Sequence, residues 1–400
     1  MQVVYLTAFC RLKFIGTIMM KRLAIAPHRL YFFLGTLLIL VLFFWWWMQL
    51  QHPATMQIPL HAMLMPLGVF PLFILGFTFT AGPKWLSVES KDQYFLLHGG
   101  TYFFGVLTVI LASGIGLGPL RSSGFALMLS AWCAVTWRWA RLLIRSNAVD
   151  KKHGFALLLG MCGGVLSLIV GLLWSMGWGA GWQYARHLAL FGFLLPIFLT
   201  VCHRMLPFFS GNVLKPYVVW RPYTLLGGWL LGCYLLVLSG SCGFVGLQAL
   251  TASMLSLSFL YTSWRWGIIR SLQNRLLAML HLSFAWLIIV FAIVALDGFG
   301  FHMGSAATHA LALGFMGTML VGFVSRVSYG HSGRPLQVSQ ALWILYLGLH
   351  VSAALRIFAS ILSMPELVLV SATAWLLLMA CWIAMMVPMY LKARADGQPG

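Results

Sequence analysis

Long unbroken apolar runs, separated by short polar connections, set the pattern of this chain. A helix needs about 20 apolar residues to cross the hydrocarbon core of a bilayer. Twelve segments meet that length, at roughly 28–50, 57–82, 94–118, 122–144, 154–176 and 184–206 in the first half. The second half adds roughly 222–240, 246–267, 275–297, 303–327, 336–359 and 365–390. The strands of a membrane barrel would instead alternate apolar and polar positions over about ten residues. The pattern predicts an all-α integral membrane protein of about twelve transmembrane helices. It divides into a basic N-terminal segment (1–27), a single helical domain (28–390) and a short tail (391–400). No soluble domain of useful size is left over.

Composition agrees: 61% of residues are hydrophobic and only 8% charged, which excludes an ordinary soluble domain. A net charge of +19 would suit nucleic acid if it were gathered on one soluble face, but it is sorted by side of the membrane. Of the 25 Lys and Arg, 22 fall at the termini and in the 2–3, 4–5, 6–7, 8–9 and 10–11 connections. The alternate connections hold only Arg121, Arg186 and Arg356. Positive charge concentrates on the cytoplasmic side of membrane proteins, so both termini are expected in the cytoplasm. Runs such as Arg138–Arg145 with Lys151 and Lys152 read as anchors facing anionic lipid, with the bilayer rather than nucleic acid as partner. Residues 1–27 lack a small-residue cleavage site and read as an interfacial segment rather than a cleaved signal peptide. A start at Met19 or Met20 is the other reading. The seven cysteines are scattered without a CxxC pair, as expected of buried free thiols.

Histidines carry the candidate chemistry. His61, His187 and His309 each sit in the outer part of a span, 126 and 122 residues apart, which is four helices each time. That spacing suggests three pseudo-repeats of four helices. His302 precedes His309 by seven positions, on the same face if the helix extends so far and in the loop if it does not. A second group (His98, His203, His281, His331) lies toward the cytoplasm as a separate candidate metal or proton-handling level. His187 and His203, sixteen residues apart on one helix, stand roughly 24 Å apart along it and cannot share an ion.

An imidazole in hydrocarbon needs a partner, and neutral imidazole is both the commonest metal ligand and an axial ligand of haem iron. Gly68, Gly314 and Gly317 would leave room for a flat macrocycle. The plainer alternative makes the histidines interhelical hydrogen-bond donors and the glycines points of close helix approach. Six acidic residues in all cannot supply a carboxylate metal cage or proton relay. No G-x-S-x-G, H-E-x-x-H or phosphate loop is found, so no catalytic residue is assigned and enzymatic activity stays open. Met63, Met65 and Met303 offer soft ligands for Cu(I) or plain core filler. Arg186 would pair with haem propionates or snorkel to headgroups. Trp45–Trp47, Trp174, Trp178 and Trp182 read as interface belts. Pro66, Pro71 and Pro196 would kink helices 2 and 6, freeing backbone groups that need an interior partner.

The stretch "HALALGFMGTMLVGFVSRVSYGHSGRPL", from His309 to Leu336, closely resembles the signature region of the NnrS family of multi-span bacterial proteins. "PHRLYFFLG" at Pro27, "GFTFTAGPKWL" at Gly76, "HRMLPFFSGN" at His203 and "LHLSFAWL" at Leu280 extend the resemblance over most of the chain. It implies a haem- and copper-containing inner-membrane protein of the nitric oxide response and denitrification. The implied haem is b-type, and nitric oxide or another small diatomic the implied ligand. Met63 departs from a second family histidine, and His98 and His187 match no general family position. The layout also resembles the catalytic subunit of haem–copper oxidases, whose helices 2 and 10 hold a low-spin haem. By that fold-level analogy His61 and His309 would be the axial pair, with His187 and His302 candidates for copper. Helix 7 has no histidine where the oxidases place copper ligands. The competing expectation is a transporter or permease for a small molecule or copper; a structural or assembly factor is a third.

Overall fold

In the computed structural model, residues 19–89 and 94–398 are described. The N-terminal reading above falls mostly on residues 1–18, outside them. Twelve long helices account for the described chain: α1 (Pro27–Leu50), α2 (Ile58–Trp85), α3 (Phe95–Gly114), α4 (Gly118–Arg145), α5 (Lys152–Ser175) and α6 (Gly181–Val213), then α7 (Tyr223–Cys242), α8 (Val245–Arg265), α9 (Arg275–Gly298), α10 (Ala306–His331), α11 (Gln340–Ile361) and α12 (Pro365–Leu391).

Eleven of the twelve are long and apolar enough to span a bilayer, and the protein is an all-α multi-pass membrane protein. The twelfth, α4, is the least apolar of the predicted spans. α4 has the length, but Ser122, Ser123, Ser130, Trp137, Trp139 and the arginines at 121, 138, 141 and 145 dilute its apolar character.

Helix ends follow local chemistry. Proline occupies the first turn of α1, α2, α4 and α12, where its missing N–H would have no partner anyway. Asn274 and Ser339 cap α9 and α11 by accepting the N–H groups of Leu277 and Leu342. Gly243 ends α7 at φ 71°, the left-handed conformation that favours glycine.

The interior is built from the histidine-bearing helices. In the most apolar stretch of α2 83% of residues are buried, and in α10 78%, against 28% in α12. α6 and α9 are also central, and α1 packs on α12, joining the two ends of the chain. Glycines permit the closest approach: a Cβ on Gly163 of α5 would lie 2.0 Å from the Gly192 carbonyl oxygen of α6.

Pro66 lies inside the unbroken first part of α2, contrary to the expected kink, whereas the carbonyls freed by Pro71 and Pro196 each have an interior partner. α2 breaks at Phe70, before Pro71, and the Leu67 carbonyl left without its i+4 donor accepts the Tyr102 hydroxyl of α3 at 2.6 Å. In α6, Pro196 leaves the Gly192 carbonyl free, and the Tyr234 hydroxyl of α7 reaches it at 3.3 Å.

Two π-helical turns shape the interior. Leu188–Leu194 follows His187 directly, and Ala310–Gly317 follows His309. Such turns change the face that later residues present and recur at functional sites. This correspondence supports the four-helix period between α6 and α10, while α2 carries a proline break instead of a π turn.

Candidate metal or cofactor centre

His61 and His309 converge. Their ring centroids lie 6.5 Å apart with the planes 20° from parallel. A transition metal with the two rings on opposite sides, each bound through one nitrogen at about 2.0 Å, would separate the centroids by roughly 6.3 Å, and a tetrahedral ion by roughly 5 Å. Each ring is prepared differently. His309 Nδ1 meets the Ser305 carbonyl oxygen at 2.8 Å. That oxygen can only accept, so Nδ1 carries the proton and Nε2 keeps its lone pair. Fixing one imidazole nitrogen to a carbonyl is the usual way a ligating histidine is oriented. His61 Nδ1 is buried without a hydrogen-bond partner, and Trp46 of α1 lies flat against the ring at 3.6 Å.

Two guanidinium groups stand close enough to act electrostatically on His309: Arg186 of α6 and Arg356 of α11. Arg356 donates to Ser360 Oγ at 2.5 Å and to Ser305 Oγ at 3.3 Å. The two serine hydroxyls are bonded to each other at 3.0 Å. Arg186 Nε is buried and unpartnered, with the guanidinium 6.0 Å from the Trp182 ring. The donor pair therefore fits a metal or metal-centred cofactor, with positive charge available beside it for anionic substituents.

The remaining outer histidines are not brought to this pair. His187 Nε2 donates to the Leu236 carbonyl of α7 at 2.9 Å, and its ring packs against Gly240. His302 is exposed in the loop before α10. No group of three or more His, Cys, Asp or Glu that could hold a metal ion occurs among the described residues. The residues thus do not fit a copper site built on His187 and His302. The glycines follow the plainer of the two expectations, close approach of neighbouring helices. A Cβ on Gly314 would meet Trp286 at 2.6 Å, on Gly317 Trp375 at 2.8 Å, and on Gly68 Leu42 at 2.6 Å. These positions admit neighbouring side chains, not a macrocycle.

The basic side holds several separate arrangements rather than one level. His203 Nε2 donates to the Pro222 carbonyl at 3.1 Å, leaving its Nδ1 to accept from His153 Nε2 at 3.0 Å. His153 Nδ1 then faces the Tyr223 hydroxyl at 3.2 Å and Arg204 at 3.4 Å. Tyr223 also donates to Asp150. Burial works to raise the Asp150 carboxyl, but the hydrogen bonds from Tyr223 and the Lys152 backbone outweigh it and hold the group below its ordinary range. His281 is buried against Ser210 Oγ at 2.9 Å. His331 pairs with His28, ring centroids 4.4 Å apart. His98 is half-buried at the start of α3. Arg326 rests on the Phe209 ring at 3.9 Å.

Ser305, Ser360 and His153 escaped the sequence reading, Trp46 was read only as part of an interface belt, and His28 entered only within the block at Pro27. Arg356 was visible only as an outer-side arginine. His350 also escaped: its Nδ1 accepts from Trp286 Nε1 at 2.7 Å, and its Nε2 is buried without a partner.

The fold and this pair define a class: an all-helical, multi-pass membrane protein with paired imidazoles between its interior helices α2 and α10. A family model described as NnrS protein matches residues 22–394. The chain belongs to the NnrS family, and that membership supports a role connected with the nitric oxide response at family level. No curated protein matches the sequence.

Proposed function

We propose that the protein is a haem-binding inner-membrane protein of the nitric oxide response, with His61 and His309 as the axial ligands and both termini in the cytoplasm. One observation carries the reading: two imidazoles at a separation that suits a metal held between opposed rings, one with its Nδ1–H committed to Ser305 and the other with a buried orphan nitrogen. A buried polar atom without a partner costs stability, and coordination would remove that cost.

The bound group would supply an iron centre able to take up electrons or a small diatomic ligand. The chain's own residues bind and orient it. Ser305 fixes the His309 tautomer, Trp46 holds the His61 plane, and Arg186 offers a cation to acidic substituents. Apolar packing around the pair excludes water.

The optical spectrum of the purified protein tests this. The expected result is a Soret band and stoichiometric iron, both lost in His61→Ala and His309→Ala while the protein stays folded. A colourless, iron-free protein overturns the proposal and leaves the permease reading. A Soret band unchanged by both substitutions removes these two histidines as ligands.

A further inference from the structure

Among the described residues, Arg186 and Arg356 have no counter-charge, and neither makes an ion pair. The acidic groups nearest this end of the molecule are engaged elsewhere or placed apart: Asp297 accepts the Met303 N–H, and Glu366 sits in the first turn of α12. Charged side chains within spans normally face a partner, because an isolated charge there is costly. Among the described residues, the connections on this side by the charge pattern carry only Arg121, Arg186 and Arg356, and the last two act on His309. Arg356 is further immobilised, with one nitrogen on Ser360 and the other on Ser305. Arg186 has a buried Nε–H with nothing to donate to. A guanidinium fork held by its neighbours, beside a second with an unused donor, matches the planar acceptors of a carboxylate or similar oxyanion.

We infer that Arg186 and Arg356 form a two-point clamp for anionic oxygens carried next to the His61–His309 pair. Arg356 is the pre-organised arm, set by the Ser305–Ser360 hydroxyl pair that also sits at the root of His309. Arg186 is the adaptable arm. The inference rests on the reading above for where the ligand lies, but the clamp itself concerns the acid groups. These come from two sources: the propionates of a haem held by the histidines, or a free oxyanion. Propionates are favoured by the closeness of both arginines to His309.

Purified apoprotein is titrated with haem and with haem dimethyl ester, whose acid groups are masked, and its thermal midpoint is measured with and without formate. Wild type is expected to bind haem roughly tenfold or more tighter than the ester, the effect of losing a charge-assisted contact. Arg356→Gln and Arg186→Gln should each narrow that gap, and Arg356→Lys, which keeps charge without the fork, should narrow it less. If neither tetrapyrrole binds but formate raises the midpoint of wild type and not of Arg356→Gln, the clamp stands with a free oxyanion and the haem reading falls. Equal binding of haem and ester in wild type overturns the clamp and requires no variant to fold. So does a gap that both glutamine variants preserve, or a chain that responds to neither tetrapyrrole nor formate.

Discussion

Trp46 lies flat on His61, ring centroids 3.6 Å apart and planes 21° from parallel. The indole covers one face of the imidazole and so limits ligand approach to its edge and its other face. Stacked aromatic pairs contribute about 0.5–1.5 kcal/mol beyond their buried area. Trp46→Leu is therefore expected to weaken ligand binding at His61 by roughly three- to tenfold. The thermal midpoint should move by only a few degrees, because the substituted helix remains apolar. Parallel binding titrations and melting curves check this. A variant that binds as wild type does would mean that the indole does not orient the ring.

A second relationship couples a proline to a tyrosine thirty-one residues away. Pro71 removes the donor that would have served the Leu67 carbonyl, and Tyr102 supplies one from α3. Tyr102→Phe should cost about 1–3 kcal/mol, the penalty of leaving a buried acceptor unsatisfied. Pro71→Ala restores an N–H at the helical position. The double variant is expected to lose less than the two single losses added together. The measurement is a double-mutant cycle in detergent, and strictly additive losses would break the link between proline and tyrosine.

The length and order of the helices were legible because a bilayer imposes one length on every span. α4 is instructive: its ends could be read, but its serines, tryptophans and arginines weaken it as an apolar span. His61 and His309 were legible through residue type alone, since an imidazole in an apolar run stands out. Their surroundings were not. A tryptophan near a helix end reads as an interface anchor whether it faces lipid or, like Trp46, a histidine. Gly314 announces a close approach without naming Trp286 as the neighbour. The π turns after His187 and His309 left no periodic trace, because runs apolar on every face carry no phase to shift. His28 and His153 lie at basic helix starts, where neighbouring charge hides a buried role.

Asp150 gives the basic side its pH dependence. A carboxyl held below its ordinary range in the folded state contributes stability that is complete above the unfolded value of about 3.9 and lost as pH falls through the folded value. Acidification below about pH 4 should therefore release Tyr223 from Asp150 and loosen the Tyr223–His153–His203 chain. Asp150→Asn is expected to flatten the acid limb of the stability curve while leaving the spectrum of the outer centre unchanged. Thermal midpoints across an acid series, with absorbance followed in parallel, test both halves. An acid limb identical in the variant would show that the carboxylate contributes nothing to it.

The contact between α5 and α6 is the least forgiving point in the bundle. Gly163 faces the Gly192 carbonyl so closely that a methyl group would lie 2.0 Å from its oxygen. Neither partner can yield by changing a rotamer, because both contacting groups are backbone. The carbonyl also belongs to the π turn that follows His187 and accepts the Tyr234 hydroxyl. Gly163→Ala must therefore push the helices apart or distort the turn, at a cost of at least about 1–3 kcal/mol. Gly100→Ala is the matched control: its Cβ would meet nothing within 4 Å, and alanine is the better helix former by about 1 kcal/mol. Melting curves should move in opposite directions, downward for Gly163→Ala and upward for Gly100→Ala. Equal shifts would mean that backbone contact between α5 and α6 does not govern the stability of the fold.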